Sequence, residues 1–169
     1  MIDASQEVES ILHHPAVARV RATLEAAGIA ADISVMREAT HTAQAAAEAL
    51  GISVAEIAKS IIFRAADGRA VLVITSGAHR VDRNKVERAI GQPVGKADAE
   101  FVRARTGFVI GGVAPLAHVE PSIVLMDPDL MQFASIWPAA GHPNTMFNIS
   151  PAELLRISGA QLNDVAEER

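Results

Sequence analysis

Two β-rich runs that flank an Asp-Gly dipeptide constrain the fold of this chain more than any other feature. SIIFRA (60–65) and AVLVIT (70–75) consist mostly of β-branched, aliphatic and aromatic residues, which suit a pleated and partly buried surface. Asp67 and Gly68 lie between them, and both residue types tolerate the positive φ that tight hairpin turns require. The sequence therefore predicts an antiparallel hairpin on which the other elements pack.

Capping signals divide the rest of the chain into short helices and strands. The predicted helices begin with a capping residue or an early proline, and most stop at a glycine; they are HPAVARVRATLEAAG (14–28), THTAQAAAEALG (40–51, with Thr40 as the N-cap), a brief helix from Ser53, DRNKVERAIG (82–91), DAEFVRAR (98–105) and PAELLRIS (151–158). The further predicted strands are ADISVM (31–36), GFVIGG (107–112), SIVLMD (122–127) and NTMFNIS (144–150). This order predicts an α+β fold, in which a mixed or antiparallel sheet packs with peripheral helices. A length of 169 residues fits a single domain, residues 1–169.

Composition excludes several classes of protein. The chain contains no cysteine, which rules out disulfides, thiolate nucleophiles and cysteine-ligated zinc. No apolar run approaches the roughly 18 residues that span a bilayer, so we expect no membrane partner. The N-terminal MIDASQEVES is acidic and lacks the basic start and apolar core of a secretory signal. These features together favour a cytoplasmic protein.

Charge is distributed unevenly along the chain. The net charge is −5, but residues 59–105 carry 10 basic and 5 acidic side chains, a local balance of +5. Residues 1–58 (3 basic, 8 acidic) and 106–169 (2 basic, 7 acidic) each have a balance of −5. A basic block can attract phosphates at short range, because salt screens distant charges beyond about 8–10 Å. The alternative is that these side chains only solvate one face of the protein.

The usual cofactor and nucleophile motifs are missing. GQPVGKA (91–97) resembles a P-loop, but only three residues separate its glycines, and Ala97 replaces the Ser or Thr that holds magnesium. There is neither a G-x-G-x-x-G motif nor a G-x-S-x-G nucleophile elbow. The six histidines show neither H-E-x-x-H nor i, i+4 pairs. We therefore expect no cofactor and no resident metal.

Two features of the middle of the chain suggest chemistry. Lys59 opens an aliphatic strand, so its amine either reaches water along its stem or binds an anion. Gly111, Gly112 and Pro115 form an apolar loop without the Asn, Asp or Ser that a surface turn usually recruits. Such bare amides could hold a carbonyl or an oxyanion, although a bend at a sheet corner is an equally good interpretation.

A third feature is the glycine turn Gly141-His142-Pro143. Its imidazole can donate or accept a hydrogen bond near neutral pH, which would suit a ligand site. An ordinary surface turn explains the same residues.

The order of these features is more informative than any one of them. KSIIF (59–63), the Asp-Gly hairpin, DRNKVERAIG and TGFVIGGVAPLA (106–117) follow one another, and a second glycine turn precedes a closing helix. In this arrangement the chain resembles the YbaK-like family of aminoacyl-tRNA deacylases, which is related to the editing domain of bacterial prolyl-tRNA synthetases. The resemblance extends from about residue 31 to 158. It implies a mixed-sheet or barrel-like core surrounded by helices.

The resemblance also implies roles for the residues of the two main motifs. Lys59 matches the family's key lysine, which would bind the phosphate or ribose of the terminal adenosine. Gly111, Gly112 and Pro115 match the glycine-to-proline loop, whose amides would hold the aminoacyl carbonyl and stabilise the oxyanion.

Further residues are expected to bind the substrate. Gly141 and His142 fall where the family closes the other side of the pocket. Met36 and Thr40, ahead of the alanine-rich helix, would line the amino-acid pocket.

The function that this resemblance implies is trans-editing, the hydrolysis of the ester on a mischarged tRNA. Such editing is needed because one methylene contributes only about 1–3 kcal/mol of discrimination in a synthetase pocket. The expected substrate is tRNA-Pro carrying alanine or cysteine, bound by its 3′ aminoacyl-adenosine end, and a synthetase such as prolyl-tRNA synthetase is a candidate partner. Water or a ribose hydroxyl would attack, since the ester already has a good leaving group. The alternatives are a module that binds aminoacyl-adenosine or a nucleotide without turnover, and an unrelated hydrolase.

Overall fold

A computed structural model of the chain describes residues 3–36 and 42–168. Its six helices in these ranges are α1 (Ala4–Leu12), α2 (Pro15–Ala26), α3 (Ala43–Leu50), α4 (Arg83–Ile90), α5 (Ala99–Thr106) and α6 (Pro151–Ser158). Its strands are β1 (Ile33–Val35), β2 (Ile57–Ala65), β3 (Ala70–Ser76), β4 (Val94–Lys96), β5 (Ile123–Met126), β6 (Trp137–Pro138), β7 (Thr145–Phe147) and β8 (Gln161–Leu162). Short 3₁₀ turns occur at Val54–Glu56 and Pro128–Gln132.

The predicted hairpin is the centre of the main sheet. β2 and β3 pair antiparallel from Ala58 opposite Ser76 to Arg64 opposite Ala70. The turn between them needs a positive φ at Gly68 alone, where φ is 90°. The hairpin is confirmed, with a turn in which only the glycine uses its conformational freedom.

The main sheet is mixed, as predicted, and it is open. β5 adds parallel to β3, and β8 adds parallel to β5. On its other edge β2 pairs antiparallel with β4 near one end and parallel with β6 near the other. In the described residues β4 and β8 are the outermost strands of this order and do not pair, so the sheet does not close into a barrel. β1 and β7 form a separate two-stranded antiparallel sheet.

Strand β3 is buried on both faces and divides the core. Leu72 and Ile74 point into a cluster that receives α2, α5 and α6, whereas Val71 and Val73 point into a cluster that receives Val86 of α4. Successive side chains of a strand point to opposite faces, so a strand covered on both sides is apolar throughout. This explains why AVLVIT has no polar alternation.

A small third cluster lies at the start of β2. Ala46 and Ala47 of α3 pack there against Ile57 and Met146. α3 begins at Thr42, whose hydroxyl accepts a hydrogen bond from the amide of Ala45, and not at Thr40 as predicted. Thr40 and Thr42 both precede the alanine run, and either could cap a helix, so the sequence offered two start points two residues apart. Thr40 itself lies outside the described residues.

The predicted strand GFVIGG is wrong. Gly107 ends α5 in the left-handed conformation, and the hydroxyl of Thr106 accepts a hydrogen bond from the amide of Phe108. The chain then turns, with the Gly112 amide donating to the Val109 carbonyl. Phe108 is buried by the core, while Val109 and Ile110 are exposed. Phe108 is apolar because it packs in the core, and Ile110 lines the cleft described below, so neither residue pairs with another strand among the described residues.

Every helix within the described ranges is too short or too polar to traverse a lipid bilayer.

Candidate functional site

A cleft of about 250 Å³ lies where α3, the first half of β2, the turn at 109–112 and the segment from β6 to β7 meet. Its lining is mostly small and apolar: Thr42, Ala43, Ala46, Ile57, Ala58, Lys59, Ser60, Ile61, Ile110, Gly111, Val113, Ala139, Pro143, Thr145 and Met146. The three regions that sequence patterns singled out each contribute to this lining. The fold therefore brings together Lys59, the first glycine turn and the second glycine turn.

Lys59 is the one lining residue with a charged side chain in the described part of the cleft. It lies opposite Thr75 in the hairpin, and its Nζ donates a hydrogen bond of 2.5 Å to the carbonyl of His79. Burial lowers the pKa of the Lys59 ammonium, the nearby Arg80 lowers it further, and Asp127 raises it. A half-buried cation in a cleft whose described lining has no carboxylate is suited to binding an anion.

The carbonyl that receives Lys59 belongs to a turn held by a buried carboxylate. Asp127 Oδ2 lies 2.7 Å from His79 Nδ1, and it accepts hydrogen bonds from the Thr75 hydroxyl (3.2 Å) and the Ser76 amide (3.1 Å). Sequence reasoning did not identify this network. The signal it could have used is Asp127-Pro128, since an acidic residue before proline is a common helix start.

His79, Asp127 and Asp129 are also close enough to be considered as metal ligands. One ligand atom from each lies within 4.8 Å of the others. However, the Asp127 oxygen nearest to His79 is already surrounded by hydrogen-bond donors, and Asp127 Oδ1 accepts from the Asp129 amide at 3.0 Å. The carboxylate acts as the cap of the 3₁₀ turn that follows it.

The two glycine turns contact each other beside the cleft. Gly111 has φ 94° and lines the cleft, where its nearest neighbour is the Pro143 ring. A Cβ on Gly112 would lie 2.8 Å from the backbone of His142 and Pro143. Two bare glycines are thus needed for different reasons, a left-handed backbone at Gly111 and a close backbone approach at Gly112.

The backbone amides of the first turn differ in their availability. The Gly112 amide is used within the turn, as it donates to the Val109 carbonyl at 3.0 Å. The amides of Gly111 and Val113 donate to no acceptor among the described residues. Both residues line the cleft, as does Ile110, whose amide is likewise unpaired among the described residues, so these amides are available to a bound carbonyl.

Pro115 does not line this cleft. It is buried and borders a separate cavity of about 270 Å³ that also includes His118. The His118 ring lies 2.7 Å from the Ala114 carbonyl through Nε2 and 2.8 Å from the Ser122 hydroxyl through Nδ1. A carbonyl can only accept, so Nε2 carries the hydrogen, and burial lowers the pKa of His118. Pro115 and His118 therefore support the loop from behind.

The second turn contributes through other residues than those predicted. Gly141 is packed against the Ala16 carbonyl, which a Cβ would approach to 2.9 Å. The His142 ring faces a different cavity near α1, its centroid 5.7 Å from that of His14, and burial lowers its pKa. Pro143 and Thr145 line the cleft instead.

Of the two residues expected ahead of α3, Met36 is not part of the described lining, and Thr40 lies outside the described residues. Met36 is buried, and its amide donates to the Asn144 carbonyl at 2.7 Å. Thr42 lines the cleft.

Ser60 is a lining residue that sequence reasoning missed. Its Oγ is buried without a hydrogen-bond partner among the described residues. An unpaired hydroxyl in a cleft is free to bind a substrate group.

Comparison with known proteins identifies relatives over most of the chain. The model of a family described as the aminoacyl-tRNA editing domain matches residues 37–157. The uncharacterized protein YwhH of Bacillus subtilis (strain 168) is 30% identical over 127 residues, which are 75% of this chain and 81% of YwhH. A candidate Cys-tRNA(Pro)/Cys-tRNA(Cys) deacylase of Enterococcus faecalis is 22% identical over 125 residues, 73% of this chain and 76% of that protein. The crystal structure of a candidate trans-editing enzyme for prolyl tRNA synthetase is 38% identical, with a TM-score of 0.86, and covers 92% of this chain and 99% of its own.

Proposed function

Because the chain belongs to the aminoacyl-tRNA editing domain family, we propose that it acts in trans on tRNA-Pro mischarged with alanine or cysteine. Membership of the family makes the chain an aminoacyl-tRNA deacylase, and the tRNA and the amino acid are the proposed part. The choice of tRNA-Pro is supported by two relatives, one described for prolyl tRNA synthetase and one for Cys-tRNA(Pro).

The observation that carries the proposal is that one small cleft contains both a single cation, Lys59, and backbone amides that have no acceptor among the described residues. Lys59 would bind the phosphate or ribose of the terminal adenosine. The amides of Gly111 and Val113 would bind the aminoacyl carbonyl oxygen and stabilise the negative charge that develops on it. Gly112 and Pro115 would keep this turn in place through their packing.

The proposed reaction needs no protein nucleophile. Water adds to the carbonyl carbon, the ester C–O bond breaks, and the proton of the attacking water passes through solvent to the departing 3′ oxygen. If the neighbouring ribose hydroxyl attacks first, the aminoacyl group moves to that oxygen, the 3′ oxygen takes up the proton, and water then cleaves the new ester in the same way. Attack by water gives the free amino acid and deacylated tRNA. Neither His nor a carboxylate is part of the described lining, which agrees with catalysis by positioning and electrostatic stabilisation.

The small side chains of the cleft support a small amino acid as the acyl group of the substrate ester. Ala43, Ala46, Ala58 and Ala139 are four of the fifteen lining residues. Alanine or cysteine would fill such a space, whereas larger side chains would have to displace packed residues. Discrimination among small amino acids would then be a matter of one or two atoms.

The remaining expectations follow from this proposal. Residues 1–169 would act as one editing domain, working in the cytoplasm where tRNA is charged. A synthetase such as prolyl-tRNA synthetase would be a partner if release and editing of the tRNA are coupled.

The test is a deacylation screen with tRNA-Pro charged separately with alanine, cysteine, serine and proline. The wild-type protein is compared with Lys59→Ala and with Lys96→Ala, a matched control on β4 whose side chain is exposed and does not line the cleft. We expect hydrolysis of the alanyl or cysteinyl ester, sparing of the prolyl ester, loss in Lys59→Ala and retention in Lys96→Ala.

Other outcomes would reject parts of the proposal. No hydrolysis of any tRNA-Pro ester, together with hydrolysis of other mischarged tRNAs in a second screen, would reject the choice of tRNA-Pro. Binding of aminoacyl-tRNA without turnover on any tRNA would favour a module that recognises aminoacyl-adenosine. Equal loss in both lysine variants would show that Lys59 has no special role.

A further inference from the structure

We infer that Asp127 is a positioning residue for Lys59, acting through the turn at residues 76–79 and the backbone carbonyl of His79. The inference rests on the proposed role of Lys59 in substrate binding. It adds a residue outside the cleft to the machinery that orients the cleft's cation.

The first step is the burial and saturation of the Asp127 carboxylate. Asp127 is 2% exposed and lies at the end of β5, beside β3. Its Oδ2 meets Thr75, Ser76 and His79, and its Oδ1 accepts from the Asp129 amide. A buried carboxylate with this many donors is fixed in position, and its loss is costly to whatever it holds.

The second step is the turn that these bonds fix. The Ser76 hydroxyl donates to the Ala55 carbonyl at 2.8 Å, and the Gly77 amide donates to the Ile57 carbonyl at 2.8 Å. Asp127 adds contacts to the Ser76 amide and the His79 ring, so the turn is bound at both of its ends. The orientation of the His79 carbonyl is therefore fixed.

The third step connects the turn to Lys59. The Lys59 Nζ donates to the His79 carbonyl, and Lys59 lies opposite Thr75, which itself donates to Asp127. A lysine side chain has four rotatable bonds and would otherwise sample many positions. The carbonyl restricts the ammonium to one side of the cleft.

Electrostatics supports the same connection. The groups whose charges act on Lys59 are Arg80, which lowers its pKa, and Asp127, which raises it. The His79 ring contacts two carboxylates, Asp127 at 2.7 Å through Nδ1 and the exposed Asp129 at 3.4 Å through Nε2. Removing the charge of Asp127 would lower the pKa of Lys59 further, so the ammonium would lose its proton at a lower pH.

Asp127→Asn tests this with almost no change in shape. The amide group has one oxygen and one NH₂, so a donor must face either the three donors at Oδ2 or the Asp129 amide at Oδ1. The substitution therefore loosens the turn and removes the charge together. Asp98→Ala is the control, because it also removes a capping carboxylate, but the Asp98 side chain accepts from the Phe101 amide of α5 and forms no hydrogen bond with residues 76–79 among the described residues.

The experiment measures kcat and KM for the preferred aminoacyl-tRNA between pH 6.5 and 9, after subtraction of the rate without enzyme. For Asp127→Asn we expect kcat/KM at pH 7 to fall on the order of tenfold, mainly through KM, as for one lost charged hydrogen bond. We also expect the alkaline limb of its profile to move to lower pH. His79→Ala keeps the carbonyl but removes the ring contact, and should give a smaller rise in KM. Asp98→Ala should leave both the profile and KM unchanged.

The outcomes separate this inference from the proposed function. Wild-type turnover that is lost in Lys59→Ala, with Asp127→Asn and His79→Ala both behaving as wild type, would overturn the inference alone. Absence of wild-type turnover would reject the proposed function instead. If Asp127→Asn does not fold, the rise in KM of folded His79→Ala decides the question, and no rise would overturn the inference. If the alkaline limb of the pH profile does not shift in folded Asp127→Asn, Asp127 only caps the 3₁₀ turn that follows it, and the inference is also overturned.

Discussion

Single polar side chains around the cleft differ in how completely the fold satisfies them. Asp127 has a donor for each carboxylate oxygen, and the buried Ser76 hydroxyl both donates to Ala55 and accepts from the Ala78 amide. Ser60, one strand away, has a buried Oγ with no partner in the described residues. An unpaired buried hydroxyl costs about 1–3 kcal/mol, which is tolerable where a substrate completes the bond. The unpaired Ser60 hydroxyl therefore lowers local stability unless a ligand in the cleft completes its hydrogen bond.

Two serine-to-alanine substitutions should therefore have opposite effects on stability. Ser60→Ala removes an unsatisfied hydroxyl, so the free energy of unfolding should stay the same or rise by up to about 1 kcal/mol. Ser76→Ala removes a bonded hydroxyl of the Lys59 turn and should cost about 1–2 kcal/mol. Urea denaturation of the two variants beside the wild type measures both values. Similar losses in the two variants would mean that Ser60 has a partner after all.

Among the elements, the two glycine turns have a function that neither could have alone. The turn at 109–112 presents unpaired amides to the cleft, and the turn at 141–143 packs behind it. Their contact is made at Gly112, where the second turn's backbone occupies the space of a Cβ. The first turn thus keeps its shape because a second, distant segment of the chain supports it.

Gly112→Ala tests this support. The added Cβ would lie 2.8 Å from backbone atoms that cannot rotate away, so the turns must separate, at a cost of about 1–3 kcal/mol. Deacylation should fall at least tenfold, because the Gly111 and Val113 amides move with the turn. Gly95→Ala is the matched control, since a Cβ there meets nothing within 4 Å and Gly95 has an ordinary φ. Thermal unfolding and the rate of ester hydrolysis are measured for both, and equal behaviour would contradict the packing role of Gly112.

For the whole molecule, the question is how an acidic protein attracts tRNA. The net charge is −5, yet residues 59–105 carry an excess of five positive charges. Some of these charges are paired, as Lys85 is with Asp164 and Arg105 is with Glu120. The cleft itself has one cation and no carboxylate in its described lining. The protein should therefore attract tRNA electrostatically only at short range.

Salt should accordingly act on KM more than on kcat. Counterion release makes binding of a nucleic acid fall steeply with salt, whereas the chemical step inside the cleft is shielded from it. We expect KM for aminoacyl-tRNA to rise several-fold between 50 and 200 mM salt, as for the release of a few counterions, because part of the basic block is already paired with carboxylates. An aminoacyl-adenosine without the rest of the tRNA should show a much smaller change. A KM that is insensitive to salt for both substrates would show that the basic block does not contact tRNA.

What the sequence determined by itself is the set of local structures. The Asp67-Gly68 hairpin, the capped helices and the positions of Gly111 and Gly141 follow from φ preferences and capping chemistry that act within a few residues. The motif order also identified the family and with it the deacylase activity. The tertiary structure decided which of these pieces meet. In the tertiary structure Ile110 and Gly111 of GFVIGG line the cleft instead of forming a strand, and Pro115 and the His142 ring lie outside the described lining. Asp127 binds the His79 ring of the turn that receives Lys59. The physical reason is that contacts between residues about 50 positions apart depend on side-chain packing across the sheet, which no local preference encodes.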